Sequence, residues 1–271
     1  MSIIHEVNIR GINFTVDLKD DFYGIDWWKA VATDNWEPHT IAFLERHCKE
    51  GTILIDIGAA SGAITLFAAS LGSDIYSFEP NPLMFDCLSR NVELNEQLPK
   101  ITLSNNAVSS ISTSILFNPE SAPTILSPIV MTHVESLSST VINVRPIKEI
   151  LEEVRLTSAN LIYIKMDIEG AEYQILNDLK SLLALKKNCE KLFLSIHPGF
   201  SRGYKSKGRL IDFCLRPIHL IRNFIQNARL FKSISQVGSV MSISNYRIDK
   251  PFRFAGLAYF GFHDYVVVFN K

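Results

Sequence analysis

Cysteine is scarce: four residues in 271, Cys48, Cys87, Cys189 and Cys214, none of them in a C-x-x-C pair. That spacing signals neither a zinc knuckle nor a disulfide framework and fits reduced thiols. No run of about 18 apolar residues is present to span a bilayer. Met1 leads straight into Ile3, Ile4, His5 and Glu6, without the basic region and apolar stretch of a secretory leader, so a cytoplasmic location is expected. An excess of one charge is lacking too. Lys and Arg number 27 against 28 Asp and Glu, a net charge of -1 that supplies no global field for nucleic acid. The histidines His5, His39, His47, His133, His219 and His263 show no metal-ligand spacing.

What is present is apolar residue in quantity, 47% of the chain, enough for one large core with a small appendage. Residues 3–17 alternate as two short strands around Arg10-Gly11, an N-terminal hairpin. Helical spacing follows from Asp26 to Cys48, broken near Glu37-Pro38 and stopped by Gly51. Beyond it, strand-like runs at Ile53–Ile57, Ile75–Phe78, Ile101–Leu103, Leu161–Met166, Leu192–Ile196 and Tyr265–Phe269 predict the sheet. Helices are predicted over Gly62–Leu71, Leu83–Asn95 and Glu169–Leu185. This alternation predicts an α/β fold with a mostly parallel sheet. Residues 109–142, rich in Ser, Thr and Pro, read as loop with one edge strand near Ser114–Phe117. Residues 1–50 then form a hairpin and helical extension, and 51–271 the main domain.

One stretch breaks the rhythm. Residues 199–233 carry eight basic residues and one acid, Asp212, among regularly spaced Leu, Ile and Phe, a basic amphipathic insertion interrupted at Pro217. It could be a solvated helical excursion, a substrate lid, a patch for an anionic or lipid-linked substrate, or a peripheral contact with an anionic membrane.

Strand Ile53–Ile57 feeds Gly58-Ala59-Ala60-Ser61-Gly62 and then a helix. A glycine turn lets a ligand approach the backbone, and the N–H groups at the helix start favour a carboxylate or phosphate. It could equally be an ordinary strand–helix turn. The dinucleotide pattern G-x-G-x-x-G is not met, because position 60 is Ala and the next glycine comes four residues after Gly58. Glu79, 23 residues after Asp56 at the end of the next strand, could accept hydrogen bonds from both hydroxyls of an adenosine ribose.

Taken in order, Asp56–Gly62, Phe78-Glu79-Pro80-Asn81-Pro82, Asn91 with Asn95, Asn106-Ala107-Val108-Ser109, Lys165-Met-Asp167-Ile-Glu169-Gly170-Ala-Glu172 and His197-Pro198 resemble the motifs of the FkbM methyltransferase family. Trp36-Glu37-Pro38 resembles the family's short acidic segment ahead of the first strand. The resemblance implies a class I methyltransferase fold, Rossmann-like, with a seven-stranded sheet whose last strand is antiparallel, and S-adenosylmethionine as cofactor. It implies that Asp56, Gly58, Ala59 and Gly62 hold the methionine end, Glu79 and Pro80 the ribose, and Asn106 and Ala107 the adenine. Asp167 would face both the methyl group and the acceptor. Glu37, Lys165 and Glu169 would contact the acceptor, and His197 or Asp167 would act as general base. Ala60 departs from the family's usual Asn, and Ser195 from an acidic residue that often precedes the His by two.

The implied activity is O-methylation of a hydroxyl on a sugar, glycan or small metabolite. A methyltransferase-like protein that binds without turnover, or an NAD-linked oxidoreductase, would share some of these features. Nucleic-acid methylation is disfavoured, since Asp167-Ile-Glu-Gly stands where an N-P-P-Y or D-P-P-Y tetrapeptide would follow the fourth strand. Asp167, Glu169 and His197 together could hold a divalent metal, although nothing in the sequence fixes a ligand geometry. Trp27, Trp28 and Trp36 could stack on a sugar or simply pack a helix onto the sheet. The late aromatics Phe252, Phe254, Tyr259, Phe260 and Phe262 read as core or a dimer face.

Overall fold

The structure, a computed structural model, describes residues 2–19, 21, 23–33, 36–117, 140–157, 161–168, 172–195, 224–242, 247–248, 250 and 264–269. Strands β1 (Ile4–Ile9) and β2 (Ile12–Asp17) are followed by helices α1 (Gly24–Ala32) and α2 (Pro38–His47). Then come β3 (Thr52–Ile57), α3 (Ala63–Ser70), β4 (Asp74–Phe78), α4 (Pro82–Glu93), β5 (Ile101–Ser104), β6 (Ala107–Ser109) and β7 (Thr113–Phe117). The second half contains β8 (Thr140–Pro146), α5 (Ile147–Thr157), β9 (Leu161–Met166), α6 (Glu172–Leu176), α7 (Leu179–Asn188) and β10 (Lys191–Ser195). A helix over 224–234, α8, precedes β11 (Gly238–Ser242), β12 (Arg247–Ile248) and β13 (Asp264–Phe269).

The main sheet has the order β12-β11-β13-β10-β9-β3-β4-β5. Strands β5, β4, β3, β9 and β10 run parallel, and β13 lies antiparallel between β10 and β11. This is the seven-stranded class I methyltransferase arrangement, with the two-residue β12 added at one edge. The chain leaves β3 toward β4 and β5 and returns to β9 on its other side, so β3 and β9 flank the topological switch point where open α/β sheets bind ligands. Both faces are covered, which is why the central strands read as nearly unbroken apolar runs. Ile53, Ile55 and Ile57 turn toward the layer that holds α5 to α8, while Leu54 turns toward the layer of the hairpin and α1 to α3.

The hairpin is a separate two-stranded sheet. Its turn places Arg10 at φ 49° and Gly11 at φ 87°, the paired positive φ values that suit the strand twist. Such a ribbon is marginal alone. Two asparagines four residues apart at the end of α4 close its edge. Asn95 accepts from the Thr15 N–H at 2.9 Å and donates to the Thr15 carbonyl at 2.7 Å, and Asn91 accepts from the Asp17 N–H at 2.7 Å. Asn91 also donates to the Ser61 carbonyl at 2.8 Å, tying the hairpin to the loop after β3.

Four expectations are corrected. In the described part of 109–142 the expected edge strand is β7, but it is joined by the start of β8, and with β6 they form a third, three-stranded sheet rather than loop. Helix α5 lies on no predicted element, although Ile147, Ile150, Leu151 and Val154 form a buried stripe at helical spacing. The single helix expected over Glu169–Leu185 is split into α6 and α7, because the Asp178 carboxylate caps a new helix by accepting from the Ser181 N–H at 2.8 Å. Likewise α2 ends at His47, and Gly51, at φ 78°, makes the turn into β3 rather than stopping the helix. Of residues 199–233 only 224–233 are described, and there Leu230 and Phe231 of α8 are buried in the core. Cys48, Cys87 and Cys189 are buried thiols outside any disulfide.

Candidate functional site

The loop after β3 is folded tightly at the carboxyl end of the sheet, with Gly58 at φ 85°, Ala60 at φ 49° and Gly62 at φ 100°. The N–H groups of Gly58 and Ala59 donate to the Phe78 carbonyl at 2.9 and 3.1 Å, strapping the loop to β4. A Cβ on Gly58 would lie 2.0 Å from the Asp167 carbonyl oxygen, so only glycine lets the loop pass the end of β9. Ala60 takes a left-handed conformation that costs an ordinary residue about 1–2 kcal/mol and that Asn tolerates better. The Asn common at this place in the resembling family is accounted for by that backbone.

Ala60 puts its N–H to use by donating to Glu79 Oε2 at 2.8 Å, and the Asn81 N–H donates to Glu79 Oε1 at 2.8 Å. Glu79 is 6% exposed. Burial pushes its carboxyl up to about 7, against the pull of those two amides and of Lys165. One amide on each oxygen leaves further lone pairs for a diol. The Asn81 side chain caps α4 through Leu83, and its Nδ2 is buried with no hydrogen-bond partner among the described residues, as is Ser61 Oγ. Buried polar atoms left open beside a carboxylate of this kind suit a polar ligand such as a nucleoside. Asn105 Nδ2 donates to the carbonyls of Glu79 and Pro80 at 2.8 and 3.3 Å, shaping the strand end. Asn106 accepts from Ser104 Oγ at 2.7 Å, and buried Ala107 begins β6, so the two residues join the main sheet to the small one.

Under the loop, Asp56 is fully buried. It accepts from Thr65 Oγ1 at 2.8 Å and faces Lys165 Nζ at 3.5 Å. Lys165, 3% exposed, donates to the Gly58 carbonyl at 2.9 Å. Burial disfavours its ammonium, yet the carboxylates of Asp56, Asp167 and Glu37 overcome that penalty and hold it above its usual range. Burial raises the Asp56 carboxyl, partly offset by Lys165. Lys165 is thus engaged with the loop and its support rather than projecting from the mouth.

Around the mouth stand Asp167, at the carboxyl end of β9, Glu37, at the start of α2, and Asp264, at the start of β13. The Asp167 N–H donates to the Ile57 carbonyl at 3.1 Å, which binds β9 to β3 there. Glu37 has φ 43° ahead of Pro38, a strained position for a side-chain-bearing residue, and accepts from Thr40 Oγ1 at 2.7 Å. Desolvation raises its carboxyl to about 7, Lys165 opposing and Asp167 and Asp264 adding. Asp264 is the residue that sequence reasoning missed. It pairs with Ser195 across β10 and β13, and Ser195 Oγ donates to it at 2.7 Å. A carboxylate from the neighbouring strand, 69 residues away, thus stands against Ser195. Only the antiparallel register reveals it.

Glu169 and His197 lie outside the described residues, as do the late aromatics Phe252 to Phe262. Among the described residues no group of three His, Cys, Asp or Glu is arranged to hold a metal. No described helix is long and apolar enough to cross a membrane. Trp28 is core, edge-on to Phe14 and donating to Asp21 Oδ2 at 2.7 Å. Trp27 and Trp36 are half-buried and meet edge to face at 4.9 Å beside Glu37.

Residues 56–213 match the profile of the methyltransferase FkbM domain. The hexuronic acid methyltransferase AglP of Haloferax volcanii is 26% identical over 201 residues, 73% of this chain and 75% of that protein. The ribosomal protein L11 methyltransferase of Bacillus pumilus is 35% identical over 74 residues, 27% of this chain, and only 24% of that protein's length is spanned. A TehB-like SAM-dependent methyltransferase from Corynebacterium glutamicum superimposes with a TM-score of 0.43 at 12% identity, covering 93% of this chain and 98% of that one. With the motifs in order along one sheet and the domain profile matched over more than half of its length, the chain belongs to the FkbM methyltransferase family.

Proposed function

We propose that this chain transfers the methyl group of S-adenosylmethionine to a hydroxyl oxygen of a sugar or glycan. The observation that carries the reading is Glu79: a buried carboxylate, braced by one amide of the loop and one of its own turn, with lone pairs left for a ribose diol. The loop N–H groups at the start of α3 suit the cofactor's carboxylate. Asp56, through Lys165, holds the loop in shape, Pro80 flanks the ribose, and Asn106 and Ala107 flank the adenine. The sulfonium, when bound, supplies an electrophilic methyl group.

An in-line displacement asks the protein to align the acceptor oxygen and exclude water. The acceptor hydroxyl passes its proton to a general base, for which we propose Asp167 or His197. Glu37 and Glu169 complete the acceptor side, and Lys165 supports it from beneath the loop. The excess of carboxylates around Lys165 favours a cationic sulfonium and a neutral hydroxyl acceptor over a second anion at the reacting centre. The sugar class is supported by the likeness to AglP. A cytoplasmic setting and an anionic or lipid-linked carrier held by residues 199–233 belong to the same proposal, and flotation with anionic liposomes tests that last part.

The test is transfer of labelled methyl from S-adenosylmethionine to neutral glycosides, uronic acids and catechols. Alkali-stable label on a sugar is expected. Label only on catechol, or only as an alkali-labile ester, would overturn the assignment.

A further inference from the structure

A cavity of about 430 Å³ lies between α2 and the main sheet, and none of its described lining residues belongs to the site described above. Its floor is built from three adjacent strands of the main sheet, each giving two residues two apart and therefore on one face: Lys191 and Phe193 of β10, Val266 and Val268 of β13, Ser239 and Met241 of β11. The registers agree, since Val268 pairs with both Lys191 and Ser239, and Val266 with both Phe193 and Met241. The roof is the stripe of α2 made by Phe43, Arg46 and His47, with His39 and Ala42 toward its start. The volume falls within the roughly 300–1,000 Å³ of small-molecule sites.

Charge is distributed unevenly over this lining. Among the described residues no acid contributes to it. Arg46, His47 and Lys191 are close enough to feel one another, with Lys191 Nζ 3.4 Å from His47 Nε2. Burial, then Lys191 and Arg46, push the His47 imidazole down to about 4. The acid whose charge reaches Lys191 is Glu190, outside the lining, while Glu45 is engaged by Arg10 at 2.5 Å. Three basic groups held together at one end of an apolar floor are complementary to a dianion carried on an apolar chain.

We propose that this cavity binds a phosphate-headed, single-chain amphiphile, with the phosphate against Arg46, His47 and Lys191 and the chain along Phe193, Val266 and Met241. The assignment is independent of the methyl-transfer reading, because it uses none of that site's residues. Its probe is octyl phosphate, added to the 271-residue chain below its micellar concentration, with the His47 ring followed by NMR. Octyl phosphate should bind and raise His47 from about 4 to above 5, since a neighbouring dianion favours the imidazolium. Arg46→Gln and Lys191→Gln should each weaken it by at least about fivefold with the melting temperature unchanged. Val268→Trp, which fills the floor, should weaken octyl phosphate and leave inorganic phosphate unaffected.

Equal affinity for inorganic phosphate would overturn the apolar half of the site, and equal affinity for octyl glucoside the charged half. Binding that survives Arg46→Gln and Lys191→Gln, or no binding at all, would overturn the proposal outright.

Discussion

Replacing Lys165 by Met removes the cation beneath the cofactor loop. Asp56 is then left fully buried, with the Thr65 hydroxyl donating to it, and the Gly58 carbonyl loses the ammonium that donates to it at 2.9 Å. Removing one partner of a buried pair costs about 3–5 kcal/mol, and the lost bond to Gly58 about 1 kcal/mol more. The expected loss is therefore roughly 4–6 kcal/mol, read from urea unfolding at pH 7.5. Asp56→Asn in the Lys165→Met background removes the orphaned charge and should restore about half of it, so the two changes are strongly non-additive.

The pH dependence has a definite sign. Asp56 has its folded pKa raised by burial, and losing Lys165 raises it further. A raised acid contributes stability that is present below its unfolded pKa and lost as pH rises through the folded one. The deficit of Lys165→Met should thus shrink as pH falls. A Lys165→Met protein within about 1 kcal/mol of the parent, or additive effects in the double variant, would refute the reasoning.

Gly58→Ala should be destabilised by more than about 3 kcal/mol or fail to fold, since its Cβ meets the Asp167 carbonyl at 2.0 Å; thermal unfolding checks this. Ala60→Asn, which relieves a left-handed Ala at φ 49°, should gain about 0.5–1 kcal/mol in the same assay. Asn91→Ala breaks buried bonds to Asp17 and Ser61 and should cost about 2–4 kcal/mol, with weaker nucleoside binding because Ser61 belongs to the loop. Glu79 titrates near 7 in the free protein, and a ribose diol favours its charged form. Affinity for S-adenosylhomocysteine should therefore climb as pH rises toward 7 and level off above it, falling by up to about tenfold per pH unit on the acid side. Calorimetry at pH 6, 7 and 8 measures that profile.

The central strands were legible because strands buried on both faces read as unbroken apolar runs, and Asp56, Gly58, Glu79 and Asp167 because each sits where such a strand ends. Helix α5 is masked in the sequence by its polar, Ser- and Thr-rich approach, although its stripe from Ile147 to Val154 has helical spacing. The break at Asp178 was hidden because one capping carboxylate redirects a helix without disturbing its apolar spacing. Asn91 and Asn95 stood out as a motif, yet their task of closing the edge of β2 needs the hairpin's position in space. Asp264 had no local signal, since it reaches the mouth through strand pairing with Ser195. The cavity beneath α2 is equally non-local, assembled from alternate residues of three strands distant in sequence.

The most direct test is calorimetric titration of the protein with S-adenosylhomocysteine beside a Glu79→Gln variant, with NAD as the control ligand. Micromolar binding of the sulfur nucleoside, lost by at least about tenfold in Glu79→Gln, and no binding of NAD are the predicted results. Equal binding by the parent and Glu79→Gln, or preference for NAD, would contradict the account.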